Sequence, residues 1–291
     1  MQHPLVPSFP ARLLLVCLAF TVLGAGCAGP DPEEAPQPDA QRLLVTFWDQ
    51  PTDAEGSARS PMFGVDLDER VNLGRSARCD ETADYEGTRG SGIDNAYATL
   101  LVLLNYSALG GDERGVQTAV PVQLEAGEGL YGFDVEPPRA DDPSAPVYVT
   151  LLSFTASEPL ALDDRLRLVV SGGLTAIPIE RVAASYDGAR WRAEFTSLDV
   201  PMGPVLGLRP VGGVVVEFEM VDGRFVRADL GARVTLDTVV GVGVDATGEP
   251  EAATRDVLLR LGIADLEPNT DGTVCSAISF GVGLELQMLP R

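Results

Sequence analysis

The chain has 291 residues, 45% of them hydrophobic, which is enough for a sizeable core and argues against wholesale disorder. Acids outnumber bases 43 to 21, for a net charge of −22, and every base is Arg. Nucleic acid is bound by neutralising phosphates with cations, so a surface this acidic excludes a nucleic-acid partner and suits a self-repelling protein or one that gathers divalent cations.

Arg12 precedes an uncharged run, Leu13 to Leu23. At about 11 residues it is too short to span a bilayer, which takes about 20, and it fits the core of an export signal. Gly24-Ala25-Gly26-Cys27 follows. Small residues let the chain lie extended in a peptidase cleft, and the Cys27 thiol can accept a diacylglycerol. This resembles the lipobox of bacterial lipoproteins, with Gly24 where Leu is usual and Leu23 one place earlier. An ordinary secretory cut near Ala25 or Gly26 would instead leave an exposed thiol, a liability in an oxidising compartment. Residues 1–26 are therefore expected to be a signal peptide and Cys27 the lipidation site, with a lipid bilayer as partner. Ala28 follows the cysteine rather than Asp, which by the same resemblance implies the outer membrane. Residues 27–41 are Pro-rich and acidic and read as an extended tether.

Cleavage at Cys27 removes His3, the sole histidine, and there is no Lys in the chain. That excludes a serine–histidine–acid triad, histidine-bearing zinc or copper sites, and Schiff-base or phosphate-cradling lysines. Carboxylate chemistry and oxygen coordination of hard cations remain. Cys79 and Cys275 are the pair left in an exported chain and are expected to form a disulfide. Closing a loop of about 200 residues stabilises by roughly 4–5 kcal/mol in the chain-entropy account.

In chain order, strands are expected at 43–48, 130–135, 147–154, 166–170 and 177–182. Three alternating segments are clearer: Trp191, Ala193 and Phe195; Val214, Val216, Phe218 and Met220; and Ile278 through Met288, whose outward partners are Ser279, Gly281, Gly283, Glu285 and Gln287. Asp222-Gly223 reads as a tight hairpin turn. Asp94 is placed to cap a helix over Asn95–Tyr106, and Glu251–Leu261 is a second helix between Pro250 and Gly262. Val234–Val240 fits helix or strand equally. Gly115–Leu124 contains Pro121 and is left open. The fold class expected is mainly β, a single antiparallel sandwich-like domain over 42–291 with a small helical insertion.

Asp66, Asp68, Asp80, Asp94 and Asn95 could supply oxygens to calcium, which takes six to eight. Their spacing matches no EF-hand. The competing reading makes Asp94 a helix cap, Asn95 a turn residue, and Asp66 and Asp68 outward acids on a strand. Phe63-Gly-Val-Asp-Leu-Asp, Cys79, Gly92-Ile-Asp-Asn and Cys275-Ser-Ala-Ile-Ser-Phe-Gly-Val-Gly together resemble a layout in envelope lipoproteins of myxobacteria and their relatives. That resemblance implies an envelope setting and carries no mechanism.

Two functions are expected to compete. One is a membrane-anchored, non-catalytic envelope protein, with or without structural calcium and with no other cofactor. The other is a carboxylate-dependent glycoside hydrolase, with paired acids and a sugar stacked on Trp48 or Trp191. The alternation around Trp191 argues that this side chain is core.

Overall fold

A computed structural model describes residues 40–50, 63–67, 85–87, 90–101, 115–137, 146–186, 190–222, 224–261, 264–268 and 274–290. The expected signal peptide, the tether up to residue 39, and Cys27, Asp68, Cys79 and Asp80 lie outside the described residues. All described residues fall in one compact unit, Pro36–Arg291.

The strands are β1 (Gln41–Asp49), β2 (Tyr85–Gly87), β3 (Gly90–Ile93), β4 (Tyr131–Val135), β5 (Val147–Ala156), β6 (Ala161–Leu162), β7 (Leu168–Val169), β8 (Leu174–Tyr186), β9 (Arg190–Pro201), β10 (Leu208–Val221), β11 (Arg224–Thr235), β12 (Leu266–Pro268) and β13 (Cys275–Leu289). Helices are α1 (Gly115–Glu125), α2 (Leu236–Thr247) and α3 (Glu251–Leu261), with a further helical turn at 97–101. The protein is mainly β, as the alternating patterns predict.

The sandwich expectation is corrected. The strands run β1-β4-β5-β8-β9-β10-β11-β13, every neighbour antiparallel, and β13 pairs back onto β1 from Arg42 opposite Leu289 to Asp49 opposite Gly283. The result is one sheet closed into an eight-stranded up-and-down barrel, with β12 added outside β13. Alternation fixes which face of a strand is buried but not whether a sheet faces a second sheet or curls on itself.

Eight strands leave an interior that side chains just fill, or that holds one small ligand. Here side chains fill it. The Phe133 ring lies 5.0 Å from Phe218 and 6.1 Å from Phe195, strands meeting across the lumen. Trp48, Leu151, Val216, Leu230 and Val282 are buried around them. The outer face is charged: Arg42 pairs with Asp134 at 2.8 Å, Arg181 with Glu136 at 3.0 Å and Arg192 with Glu217 at 2.9 Å. A barrel that crosses a membrane has the reverse arrangement, apolar outside and polar within.

One seam is loose. β8 and β9 pair only over Ala184–Ala193, Ser185–Arg192 and Tyr186–Trp191. Beyond these the Glu180 carboxylate spans the gap, accepting from the Thr196 backbone N–H and from its hydroxyl, each at 2.8 Å.

The two ends differ. The upper end carries the helices. α1 is helical despite Pro121, and it is fastened by its glutamines: the Gln50 N–H donates to Gln117 and the Gly203 N–H to Gln123, each at 2.8 Å. Residues 234–240 are strand and helix in turn. β11 ends at Thr235, whose side chain accepts from the Thr238 N–H and starts α2. The lower end holds the β8–β9 and β10–β11 turns, and Asp222 takes a positive φ of 50° at the second, as the predicted hairpin requires. The expected helix over Asn95–Tyr106 is helical at 97–101, and residues 102–114 lie outside the described residues.

Candidate functional site on the outer face of the last strand

Along β13 the inward residues Ile278, Phe280, Val282 and Leu284 are buried as alternation predicts, whereas at the strand's end Leu286 is half-buried and Met288 is 49% exposed. The outward residues were expected to meet solvent. Instead Ala277 and Ser279 are 0% exposed and Gly281 and Gly283 are buried too. A strap, residues 63–67, lies across them. A methyl group at Gly281 would stand 2.9 Å from the Gly64 Cα, and one at Gly283 2.8 Å from the Phe63 ring. Gly231, paired with Gly281 on β11, would collide with Val65 in the same way. Only glycine lets a chain approach this closely. Val65 and Leu67 then pack with Val215, Leu266 and Ala277 in a small core outside the barrel.

Side chains of the Gly92-Ile93-Asp94-Asn95 segment hold the strap. The Asn95 amide donates to the Phe63 carbonyl at 2.7 Å and to the Gly281 carbonyl at 3.1 Å, and its oxygen accepts from the Gly281 N–H at 3.1 Å. The Asp94 carboxylate accepts from the Leu67 N–H at 2.7 Å, and the Arg233 guanidinium donates to the Leu67 carbonyl at 3.0 Å. Asp94 therefore secures the strap, and the first N–H of the helical turn, on Ala96, donates to the Ser279 hydroxyl at 2.7 Å instead. Ser279 donates in turn from its hydroxyl and its backbone to Asp265. The three short motifs singled out in the sequence meet at this one place.

Of the five residues expected around calcium, the structure brings Asp94 and Asn95 together and commits both to backbone groups. Asp66 is half-buried on the strap and has a partner of its own. Among the described residues, no group of three or more His, Cys, Asp or Glu could hold a metal ion. Cys275 opens β13 and is 5% exposed.

Beside the strap is a charged group that sequence reasoning missed. Asp49 lies opposite Gly283, and its carboxylate is 3.8 Å from Arg227. Burial pushes Asp49 up to about 6, while Arg227 pulls it down and Glu285 adds to the rise. Glu285 is held by Arg167, with an N···O distance of 2.9 Å for the second of its two bonds. The Arg227 guanidinium lies over the Phe63 ring, 5.4 Å from its centre. Both carboxylates face arginines, so the group is an ion-pair network and does not present a free nucleophile beside a free acid. Its signal in the sequence is the row of small outward residues on β13, which leaves room for neighbours to lie close.

The tryptophans do not face solvent. Trp48 is 1% and Trp191 2% exposed, and neither Nε1–H has a hydrogen-bond partner among the described residues. A cavity of about 20 Å³ lies under α2, walled by Leu100, Val200, Val211, Val239, Ile278 and Phe280. It has room for about one water, and its apolar walls would keep it dry. No family model, curated protein or solved structure matches this chain.

Proposed function

We propose that the chain is a lipid-anchored envelope protein without catalytic activity, attached through acylated Cys27 and working through the outer surface of its barrel. The observation that carries this reading is the packed lumen. With Phe133, Phe195 and Phe218 meeting across it, the barrel offers no chamber for a substrate. The loss of imidazole and amine chemistry on processing points the same way. Buried Trp48 and Trp191 leave no platform for a sugar, and the acids beside the strap are neutralised by arginine, which weighs against a glycoside hydrolase. Pairing of Cys79 with Cys275 belongs to the same reading, supported by the burial of Cys275 at the head of β13 and by these being the two cysteines left beside Cys27 after processing.

Mass spectrometry of native material tests both covalent features. The N-terminal peptide should begin at Cys27 with acyl chains, and Cys27→Ser should abolish the modification. A peptide pair joining Cys79 to Cys275 should disappear on reduction. An intact N-terminus with unmodified Cys27 would overturn the anchor, and turnover of a glycoside by the purified protein would overturn the non-catalytic assignment.

A further inference from the structure

Arg227 stands between two partners and is hydrogen-bonded to neither. Its guanidinium covers the Phe63 ring at 5.4 Å, within reach of a cation–π contact, and lies 3.8 Å from the Asp49 carboxylate, beyond hydrogen-bond length. Its Nε–H is buried and has no hydrogen-bond partner among the described residues. Glu285 is its cross-strand neighbour on β13, but both oxygens of that carboxylate are taken by Arg167. Leaving a buried donor unpaired is costly, so it marks a side chain with a second place to go.

The ring that Arg227 covers is the first residue of the strap. Phe63 lies on the glycine floor at Gly283, and Asp49 reaches the same floor from β1. The other end of the strap is fastened separately, with the Leu67 N–H donating to Asp94 and its carbonyl accepting from Arg233. The barrel closes through β13 and β1 without any strap residue. One end of the strap can therefore loosen with the sheet intact. The charges facing Asp49 are Arg227 from β11, Glu285 from β13 and Arg167 from just before β7. Asp229 lies across Gly283 and has a partner of its own. The strap brings Phe63 and α1 brings Gln117 to this end of β1, both uncharged. Burial raises Asp49 to about 6, against the pull of Arg227, so the carboxyl is neutral below that value and ionised above it.

We propose that Arg227 is the moving part of a pH-sensitive latch on the strap: ionised Asp49 draws the guanidinium off the Phe63 ring, and the Phe63 end loosens while the Leu67 end holds. With Asp49 neutral, the ring is the better partner. With Asp49 ionised, a direct bond satisfies the unpaired Nε–H and offsets a charge held against the sheet. The two contacts are of similar, small size at a half-exposed site, so one proton decides between them. The strap tightens as pH falls and loosens as it rises. The latch does not depend on lipid at Cys27.

Nuclear magnetic resonance of the full, unsubstituted chain tests this between about pH 5 and about pH 7. As Asp49 ionises, exchange of the Arg227 Nε–H should slow severalfold. Exchange of the Asn95 side-chain amide, which holds the Phe63 carbonyl, should quicken severalfold beyond its ordinary rise with hydroxide. The Leu67 N–H should keep its protection. The Asp49 carboxyl carbon, followed in the same samples, should titrate at the same midpoint. Asp49→Asn should abolish both changes, whereas Glu285→Gln should keep them at a lower midpoint, because Glu285 adds to the rise at Asp49. Flat Arg227 and Asn95 signals, or a midpoint apart from that of Asp49, would overturn the latch. Loss of Leu67 protection together with Asn95 would overturn it as well, since the whole strap would then let go. Changes that survive Asp49→Asn and vanish in Glu285→Gln would assign the proton to Glu285 and sink it too.

Discussion

The Asn95 amide engages three backbone groups from two distant parts of the chain, Phe63 and both polar atoms of Gly281. Replacing it with Ala strands buried donors and acceptors, each costing about 1–3 kcal/mol. Asn95→Ala should therefore lower unfolding stability in a urea titration by several times the roughly 0.5 kcal/mol scatter of surface substitutions. Gly281→Ala should cost about 1–3 kcal/mol by forcing the strap outward. Asp49 gives a pH signature. Its folded value, about 6, lies above the ordinary 3.8, so the folded state holds its proton more tightly. Stability contributed by this group is full below about pH 4 and is lost as pH rises towards 6. Asp49→Asn should flatten that fall and gain about 1 kcal/mol at pH 7, after allowing for solvent screening. The sequence marks Asp94 and Asn95 as unusual but not their role. Spacing shows two oxygen-bearing side chains at a helix start. It does not show that the Phe63 and Gly281 backbones cross beside them, because that crossing joins segments 186 residues apart in the Asn95–Gly281 contact.

β8 and β9 share a hairpin and then part, and Glu180 occupies the space that a backbone ladder would fill. Unpaired edges invite other strands, and an acid placed between them together with Pro178 on β8 discourages it. Glu180→Ala should speed exchange of the Thr196 amide and raise aggregation on heating, while the melting temperature moves little because the bonds are exposed. Unchanged exchange at Thr196 would show that the carboxylate is dispensable there. At this scale the period of two finds long strands, since Trp191, Ala193 and Phe195 on β9 and Val214, Val216 and Phe218 on β10 are buried as the alternation requires. It fails where both faces are covered, as on β13, since covering a strand from outside needs residues remote in the chain. The ambiguity at Val234–Val240 has a physical source: β-branched residues suit both the end of β11 and the buried side of α2, and Thr235 divides them. Pro121 argues against a helix in isolation, and Gln117 and Gln123 provide tertiary fastening that no local pattern contains.

At the scale of the whole barrel, the described residues form an apolar-filled ring with charges outside. If Asp94 and Asn95 are purely structural, excess chelator should leave the thermal unfolding curve unmoved, and a drop in melting temperature would reinstate calcium. The mainly β class is legible from alternation and turn residues, whereas ring closure is not, because it depends on pairing the first strand with the last. That pairing has a consequence for timing. β1 and β13 span Gln41 to Leu289, so the hoop stays open until β13 has emerged. On the proposed lipid-anchored reading the chain crosses a translocation pore unlocked, because the clasp strand β13 follows every other strand of the barrel. Chains halted before residue 275 should stay protease-sensitive, because β1 and β11 would each be left with one unpaired edge.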